Sequence, residues 1–243
     1  MRIYLEKDYE AMSRRAAHII AAEVHRNPEC VLGLATGSTP VGTYKQLIAW
    51  NQQGDLSFKG VRTVNLDEYK GLSGDHDQSY RYFMNTNLFD HIDIDKANTN
   101  VPDGLAEDAE AECAAYDKLV ESMGYADLQL LGLGHNGHIG FNEPGKHFIY
   151  GCHRVQLSAS TIAANQRFFP SADTVPRYAV SLGIGSIMQA RQVLLLATGS
   201  NKAEAVRNAL EGEVSPQWQA SILRTHPNVI FLLDRPAASQ LSR

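Results

Sequence analysis

The segment LLGLGHNGHIGFNEPG, residues 130–145, carries the side chains with the clearest capacity for chemistry. Histidine exchanges protons near neutral pH, so His138 is a candidate general acid or base. Glu143 or Asn136 could fix the tautomer and orientation of that imidazole, as a third group does in other catalytic sets. Five glycines surround these side chains, which indicates that the backbone approaches something closely. We therefore predict acid–base catalysis at this segment.

Two other interpretations of the segment are weaker. Gly132, Gly134 and Gly137 spell GxGxxG after an apolar run, but no acidic residue follows at the distance that a dinucleotide ribose requires. The histidines at positions 135 and 138 could bind zinc with a nearby carboxylate if the segment were helical, but its glycines and its proline oppose a helix. We expect neither a metal nor a nucleotide cofactor.

A second candidate for proton transfer lies in TVNLDEYKGL, residues 63–72. Asp67 stands at the end of an apolar run that should be buried on both faces. A carboxylate at such a boundary is a candidate base, provided that its surroundings adjust its pKa. Its alternative role is to cap the following turn, and Glu68 is an ambiguous neighbour. Asp67 is the predicted base.

Two turns, TGSTP at 36–40 and TGSNK at 198–202, are suited to binding an anion. Ser38 or Thr39 can cap the next helix, and the free amides at a helix start attract negative charge. Lys202 opens a predicted helix, where a positive charge opposes the helix dipole unless it neutralises a bound anion. Neither turn matches the GxxxxGK[ST] pattern of a nucleotide-binding loop. An ordinary capped helix and a solvated surface lysine are the alternatives.

Elements that could position these residues alternate along the chain. Continuous apolar runs predict buried strands, and amphipathic stretches between them predict helices at 9–24, 41–51, 106–123, 202–211 and 215–225. Such alternation is typical of an α/β fold with a mostly parallel sheet and helices on both faces. In such sheets, ligands bind beyond the carboxyl ends of the strands, where all the candidate residues lie. We predict a single domain over residues 1–243.

Composition limits the classes of function. With 44% apolar residues in a chain of 243, a large core can form. The net charge of −5, without a basic run, is unlike a nucleic-acid-binding protein. Three widely spaced cysteines indicate reduced thiols, and the N-terminal MRIYLEKDYE has no apolar signal region. No apolar run is long enough to span a bilayer. We expect a cytoplasmic protein that binds neither nucleic acid nor membrane.

Taken together, the motifs LATGSTP, NLDEY, GHNGHIGFNEP, NQRFFP and TGSNKAEAV, in this order and spacing, resemble those of the glucosamine-6-phosphate deaminases. The resemblance runs over essentially the whole chain, and the combination of NLDEY with GHIGFNEP is its most specific part. It implies a modified Rossmann-like fold. The implied reaction converts D-glucosamine 6-phosphate and water into D-fructose 6-phosphate and ammonia, as a step of amino sugar catabolism without a cofactor.

The resemblance also implies roles for individual residues. Asp67 would remove the proton from C2 and return it at C1, and His138 would assist opening of the pyranose ring. Glu143 and Asn136 would orient His138, although many relatives have Asp at the position of Asn136, and an amide stabilises an imidazolium less than a carboxylate does. The remaining implied residues bind substrate: the phosphate pocket Ser38, Thr39, Arg167 and Lys202, and the substrate-facing turn Thr36 and Gly37.

Some members of this family are hexamers activated by N-acetylglucosamine 6-phosphate through basic residues after the NEP motif and a tyrosine near the C-terminus. Here His153 and Val155 stand where an arginine and a lysine are expected, and no tyrosine lies near the C-terminus at Arg243. The expectation is an unregulated monomer whose partner is a small sugar phosphate.

Two other functions remain open. A 6-phosphogluconolactonase would share the fold and the GSTP-type turn, but Asp67 and the FNEP motif favour the deaminase. A sugar-phosphate sensor of a transcription regulator should carry a helix-turn-helix, for which the sequence before the first strand leaves no room.

Overall fold

The structure is a computed structural model that describes residues 1–242, apart from the side chains of Phe168 and Ala172. Within that range it contains ten strands, which are β1 Arg2–Glu6, β2 Val31–Leu34, β3 Arg62–Asn65, β4 Asp67–Tyr69, β5 Thr99–Asn100, β6 Leu128–Leu131, β7 His153–Gln156, β8 Tyr178–Ser181, β9 Val193–Ala197 and β10 Val229–Asp234. The same range contains seven α-helices, which are α1 Tyr9–Arg26, α2 Val41–Gln53, α3 Tyr80–Asn87, α4 Ala109–Ser122, α5 Ala159–Asn165, α6 Ile184–Met188 and α7 Ala203–Leu210.

Seven strands form one sheet in the order β1-β10-β9-β6-β2-β3-β5, and every neighbouring pair in it is parallel. Helices cover both faces. Alternate residues of β2 show this, because Val31 packs in a cluster with Tyr116 of α4, whereas Leu32 belongs to the larger core that includes α1 and α2. The predicted α/β fold with a mostly parallel sheet is confirmed.

A second, three-stranded sheet in the order β4-β8-β7 is antiparallel. Its register places Ser181 of β8 opposite both Asp67 of β4 and His153 of β7. The sequence does not predict this sheet, because its strands are three or four residues long and β8 looks like any other buried run. The consequence for function is that Asp67 begins a short strand of its own, directly after the parallel strand β3.

Two local predictions about the helices are wrong. The predicted helix at 215–225 is instead a turn followed by a 3-10 segment, Gln219–Thr225, because the Ser221 hydroxyl bonds to the backbone of Ser215 and competes with helix formation. Neither Ser38 nor Thr39 caps α2; Pro40 occupies the N-cap position with no side-chain hydrogen bond. The hydroxyls of the GSTP turn are therefore not used in capping that helix.

The central strands β6, β9 and β10 are buried along their whole length, so the sheet core is apolar and rigid. Within residues 1–242, no helix is both long and apolar enough to cross a bilayer.

Candidate active site

A cavity of about 600 Å³ opens beyond the carboxyl ends of the parallel strands, where ligands bind in sheets of this kind. The turns that follow β2, β3, β6 and β9 all contribute to it. Of the ten predicted site residues, nine line the cavity: Thr36, Gly37, Ser38, Thr39, Asp67, Asn136, His138, Arg167 and Lys202. Glu143 does not line it and lies behind His138. The structure thus brings together residues that are distant in sequence.

Asp67 is buried at the start of β4, with 6% of its surface exposed. Burial, and then the neighbouring charge of Glu68, raise the pKa of Asp67 to about 8. Gly140 lies beside this carboxylate with φ of +57°, a conformation that favours glycine, and a Cβ there would lie 3.5 Å from Asp67 Oδ2 and 3.2 Å from Ser181 Oγ. A carboxylate with such a pKa accepts a proton more readily than an ordinary aspartate does.

The Glu68 carboxylate is a second buried acid beside the first, with 2% of its surface exposed. It accepts hydrogen bonds from the backbone amides of Tyr69 at 2.8 Å, Tyr80 at 2.8 Å and Arg81 at 2.9 Å. Burial raises the pKa of Glu68, while those amides and the Arg81 charge oppose the rise. Glu68 thereby fixes the start of α3, including Tyr80 in the cavity wall, to the strand that carries Asp67.

Beside the cavity, Glu143 connects His138 to its surroundings. His138 Nδ1 lies 3.6 Å from Glu143 Oε2, an ion-pair distance. Asn136 Nδ2 donates to the same oxygen at 2.8 Å, and Thr161 Oγ1 donates to Oε1 at 2.5 Å. Burial would raise the pKa of Glu143, but the contact with His138 and the hydrogen bonds from Thr161 and Asn136 outweigh it and hold that pKa at about 2. Glu143 is therefore a fixed negative charge.

The Asn136 side chain binds to Glu143 and to the backbone of His138, whose amide donates to Asn136 Oδ1 at 3.2 Å. An amide fits between these partners because it donates with one end and accepts with the other. Asn136 thus acts on the imidazole through Glu143 and through the turn.

The imidazole itself packs against backbone. A Cβ on Gly134 would lie 2.4 Å from His138 Cδ2, so only glycine fits there without moving the ring. The Gly134 amide also donates to the His138 carbonyl at 2.9 Å and closes the turn. The glycines of this segment predict that its backbone approaches another group closely. One such group is the His138 ring of the same segment, which packs against Gly134.

At another part of the wall, Lys202 and Arg167 form a cationic region. Burial, and then the Arg167 charge, lower the pKa of Lys202 to about 8. Burial lowers the pKa of His135 as well, followed by the charges of Lys202, His138 and Arg167. An anion that enters beside Lys202 and Arg167 reduces the repulsion between these neighbouring positive charges. This region can therefore hold a phosphate.

The turn before Lys202 is held in place by Asp234, at the end of β10. Asp234 accepts hydrogen bonds from the Thr198 hydroxyl and from the amide of Gly199, which has φ of +89°. Residues 200–202 form a 3-10 turn before α7, which has no side-chain cap. Asn201 Nδ2 lies 2.9 Å from His135 Nε2.

Several of these supporting residues do not follow from sequence reasoning. Asp234 lies at the end of β10, so a complete survey of strand ends could have found it, whereas the sequence offers His135 only as a possible zinc ligand. Glu68 adjoins the predicted base, but its three amide partners come from the fold. Thr161 has no signal at all, because it lies 18 residues from Glu143 along the chain. Among residues 1–242, no group of three or more His, Cys, Asp or Glu side chains is arranged to hold a metal ion.

Comparison with known proteins agrees with the resemblance seen in the motifs. A family model described as glucosamine-6-phosphate isomerases/6-phosphogluconolactonase matches residues 6–231. A protein of Clostridium perfringens (strain 13 / Type A), named glucosamine-6-phosphate deaminase, is 56% identical over 241 residues, which are 99% of this chain and 100% of that protein.

Solved structures separate close from distant relatives. A structure described as a monomeric glucosamine-6-phosphate deaminase superposes with a TM-score of 0.96 at 50% identity, over 98% of this chain and 99% of that one. A 6-phosphogluconolactonase from Leishmania guyanensis reaches a TM-score of 0.76 at 22% identity, over 100% of this chain and 99% of that one, and shares the fold alone. The chain belongs to the family of glucosamine-6-phosphate isomerases and 6-phosphogluconolactonases.

Proposed function

We propose that this chain is a glucosamine-6-phosphate deaminase, which converts D-glucosamine 6-phosphate and water into D-fructose 6-phosphate and ammonia. The observation that carries the proposal is one cavity lined by a buried carboxylate, Asp67, an imidazole, His138, and the cations Lys202 and Arg167. The names of the relatives at 56% and 50% identity support the same activity.

The substrate phosphate binds at the cationic region. Arg167 offers a planar set of donors and Lys202 a point charge, and the hydroxyls of Ser38 and Thr39 lie on the wall of the same cavity. Because the phosphate is remote from the reacting carbons, its binding energy can position C1 and C2 against the base. Binding of the dianion also raises the pKa of Lys202 from about 8 and so favours its charged form further.

Ring opening is assigned to His138, which moves a proton between the ring oxygen and the anomeric hydroxyl. The permanently charged Glu143 stabilises the imidazolium that this step requires. Because the hydrogen bonds from Asn136 and Thr161 fix Glu143, the imidazole keeps its orientation as its charge changes.

Isomerisation is assigned to Asp67, which removes the proton from C2 to give an enolamine and returns it at C1. Water then adds at C2, and ammonia leaves. A carboxylate whose pKa is raised to about 8 is a stronger base than usual toward a carbon acid. Burial provides this strength, and Asp67 still lies on the wall of the cavity.

The test is to incubate the purified chain with D-glucosamine 6-phosphate and to measure ammonia and fructose 6-phosphate in parallel. Equal amounts of both products are expected. A parallel assay for acid release from 6-phosphogluconolactone addresses the distant relatives of the same fold. Acid release without ammonia release would replace this proposal by the lactonase.

The proposal also covers the oligomeric state and the regulation of the protein. We infer a monomer without allosteric activation that acts in amino sugar catabolism, supported by the relative described as monomeric at 50% identity. Sedimentation should give a mass near 26.8 kDa. The rate should depend hyperbolically on substrate concentration, with or without N-acetylglucosamine 6-phosphate. A hexamer, or a sigmoidal curve that this compound makes hyperbolic, would contradict the inference.

A further inference from the structure

Two cysteines that take no part in the proposed reaction lie together on another side of the molecule. Cys113 is on α4 and is buried beside Ala109 and Val180, and Cys152, which directly precedes β7, packs against the same cluster. Both thiols line an open cavity of about 1120 Å³ that shares no lining residue with the active-site cavity. The pair is therefore accessible to a small molecule independently of substrate.

The fold places the two thiols in one side-chain cluster. Asp117 Oδ2 accepts a hydrogen bond of 2.8 Å from the Cys152 amide, which fixes that backbone against α4. Cys113 lies four residues before Asp117 and therefore projects from the same helix face toward Cys152. The two thiols are near enough for each to shift the pKa of the other. Packing of the segment before β7 against α4 therefore brings the pair together.

Interaction between the two side chains also separates their pKa values. It lowers the pKa of Cys113 and raises the pKa of Cys152, and burial raises the latter further. Cys113 is therefore the thiol that loses its proton first, an arrangement typical of thiols that exchange with disulfides.

We propose that Cys113 and Cys152 form a reversible dithiol–disulfide modification site that is oxidised by low-molecular-weight disulfides. The thiolate of the pair attacks one sulfur of the small disulfide, forms a mixed disulfide and releases the first small thiolate. The second cysteine loses its proton and attacks the protein sulfur of the mixed disulfide, which releases the second small thiolate. The protein loses two electrons and two protons, and the small disulfide becomes two thiols.

The bond would join α4 to β7 and close a loop over residues 113–152, which contains His138 and Glu143. Strand β7 pairs with β8, and β8 pairs with β4, where Asp67 begins. Because a cross-link restricts the unfolded chain, oxidation should raise the melting temperature by several degrees. Dithiothreitol should reverse the rise.

The experiment uses reduced full-length protein and bis(2-hydroxyethyl) disulfide, an uncharged probe that the carboxylates around the cavity do not repel. Intact mass should fall by about 2 Da as two hydrogens are lost. A tryptic digest without reductant should contain the peptide of residues 97–118 linked to that of residues 147–154. Cys30→Ala is the matched control, since Cys30 is fully buried elsewhere, and it should still form the link.

Cys113→Ser and Cys152→Ser should each lose both the link and the rise in melting temperature, and at most retain a mixed disulfide of the remaining thiol. The proposal is overturned if the wild type gives only mixed disulfides, links through Cys30, or links between chains. It is also overturned if oxidation leaves the wild-type thiols unchanged. The peptide map of the wild type decides between these outcomes without any variant.

Discussion

The pKa of Asp67 leads to a prediction about stability as well as catalysis. The ordinary aspartate value is 3.8 and the value in the fold is about 8, so the folded protein binds a proton that the unfolded chain releases over this range. The sign follows from linkage: stability falls as the pH rises from about 4 to about 8, because the folded state resists ionisation. Asp67→Asn removes the ionisation and with it the loss of stability.

The size of this loss of stability depends on how far the pH lies above the pKa of Asp67 in the unfolded chain. At pH 7 the solution is roughly three units above the unfolded pKa, and each unit corresponds to about 1.4 kcal/mol. Asp67→Asn should therefore increase the free energy of unfolding by up to about 4 kcal/mol at pH 7. The gain should grow by about 1.4 kcal/mol per unit between pH 5 and pH 7 and level off above pH 8.

Urea unfolding at a series of pH values measures this gain for the variant against the wild type. Asp75→Asn is the matched control, because Asp75 is exposed and its replacement should change the free energy of unfolding only slightly. A gain for Asp67→Asn that is independent of pH would refute the burial argument. An Asp67→Asn variant that is less stable than the wild type at pH 7 would also refute the burial argument.

The same variant tests the proposed base. Asp67→Asn should lose exchange of the C2 proton with solvent and lose turnover, while its affinity for the sugar phosphate stays nearly intact. A variant that is more stable and inactive is the expected outcome, since active sites hold charge in unfavourable surroundings. Unchanged turnover would refute the role assigned to this carboxylate.

Three further predictions concern the surroundings of these groups. Lys202→Ala should raise KM for glucosamine 6-phosphate roughly tenfold or more, with a smaller effect on kcat. The control Lys45→Ala, on the exposed side of α2, should change neither constant. An unaltered KM for Lys202→Ala would count against its role in binding phosphate. Gly134→Ala should displace His138 and lower kcat roughly 10- to 100-fold, whereas Gly145→Ala, whose Cβ would meet nothing closer than 3.7 Å, should not. Glu68→Gln removes a charge that raises the pKa of Asp67, so the acid side of the pH profile of kcat/KM should move to lower pH; a shift to higher pH would contradict that coupling.

The sequence alone determined the class of fold and the place of the site. Apolar runs such as those of β6, β9 and β10 predict buried parallel strands because both of their faces are apolar. Parallel strands all have their carboxyl ends at one edge of the sheet. If the preceding strands belong to one parallel sheet, Asp67, His138 and Lys202 must therefore lie near the same edge. Their chemical types indicated proton transfer and an anion site, and the resemblance of the motifs to a known family implied a sugar phosphate.

The tertiary structure decided what depends on distant contacts. The sequence does not predict the antiparallel sheet, because that sheet depends on strands that are distant along the chain. The segment 219–225 is a 3-10 segment rather than part of the predicted helix, because the Ser221 hydroxyl bonds to the backbone of Ser215. The Thr161 bond to Glu143 likewise joins segments that no local rule connects. Above all, the raised pKa of Asp67 comes from desolvation, and only the folded chain removes water from a carboxylate that the sequence shows merely to be present.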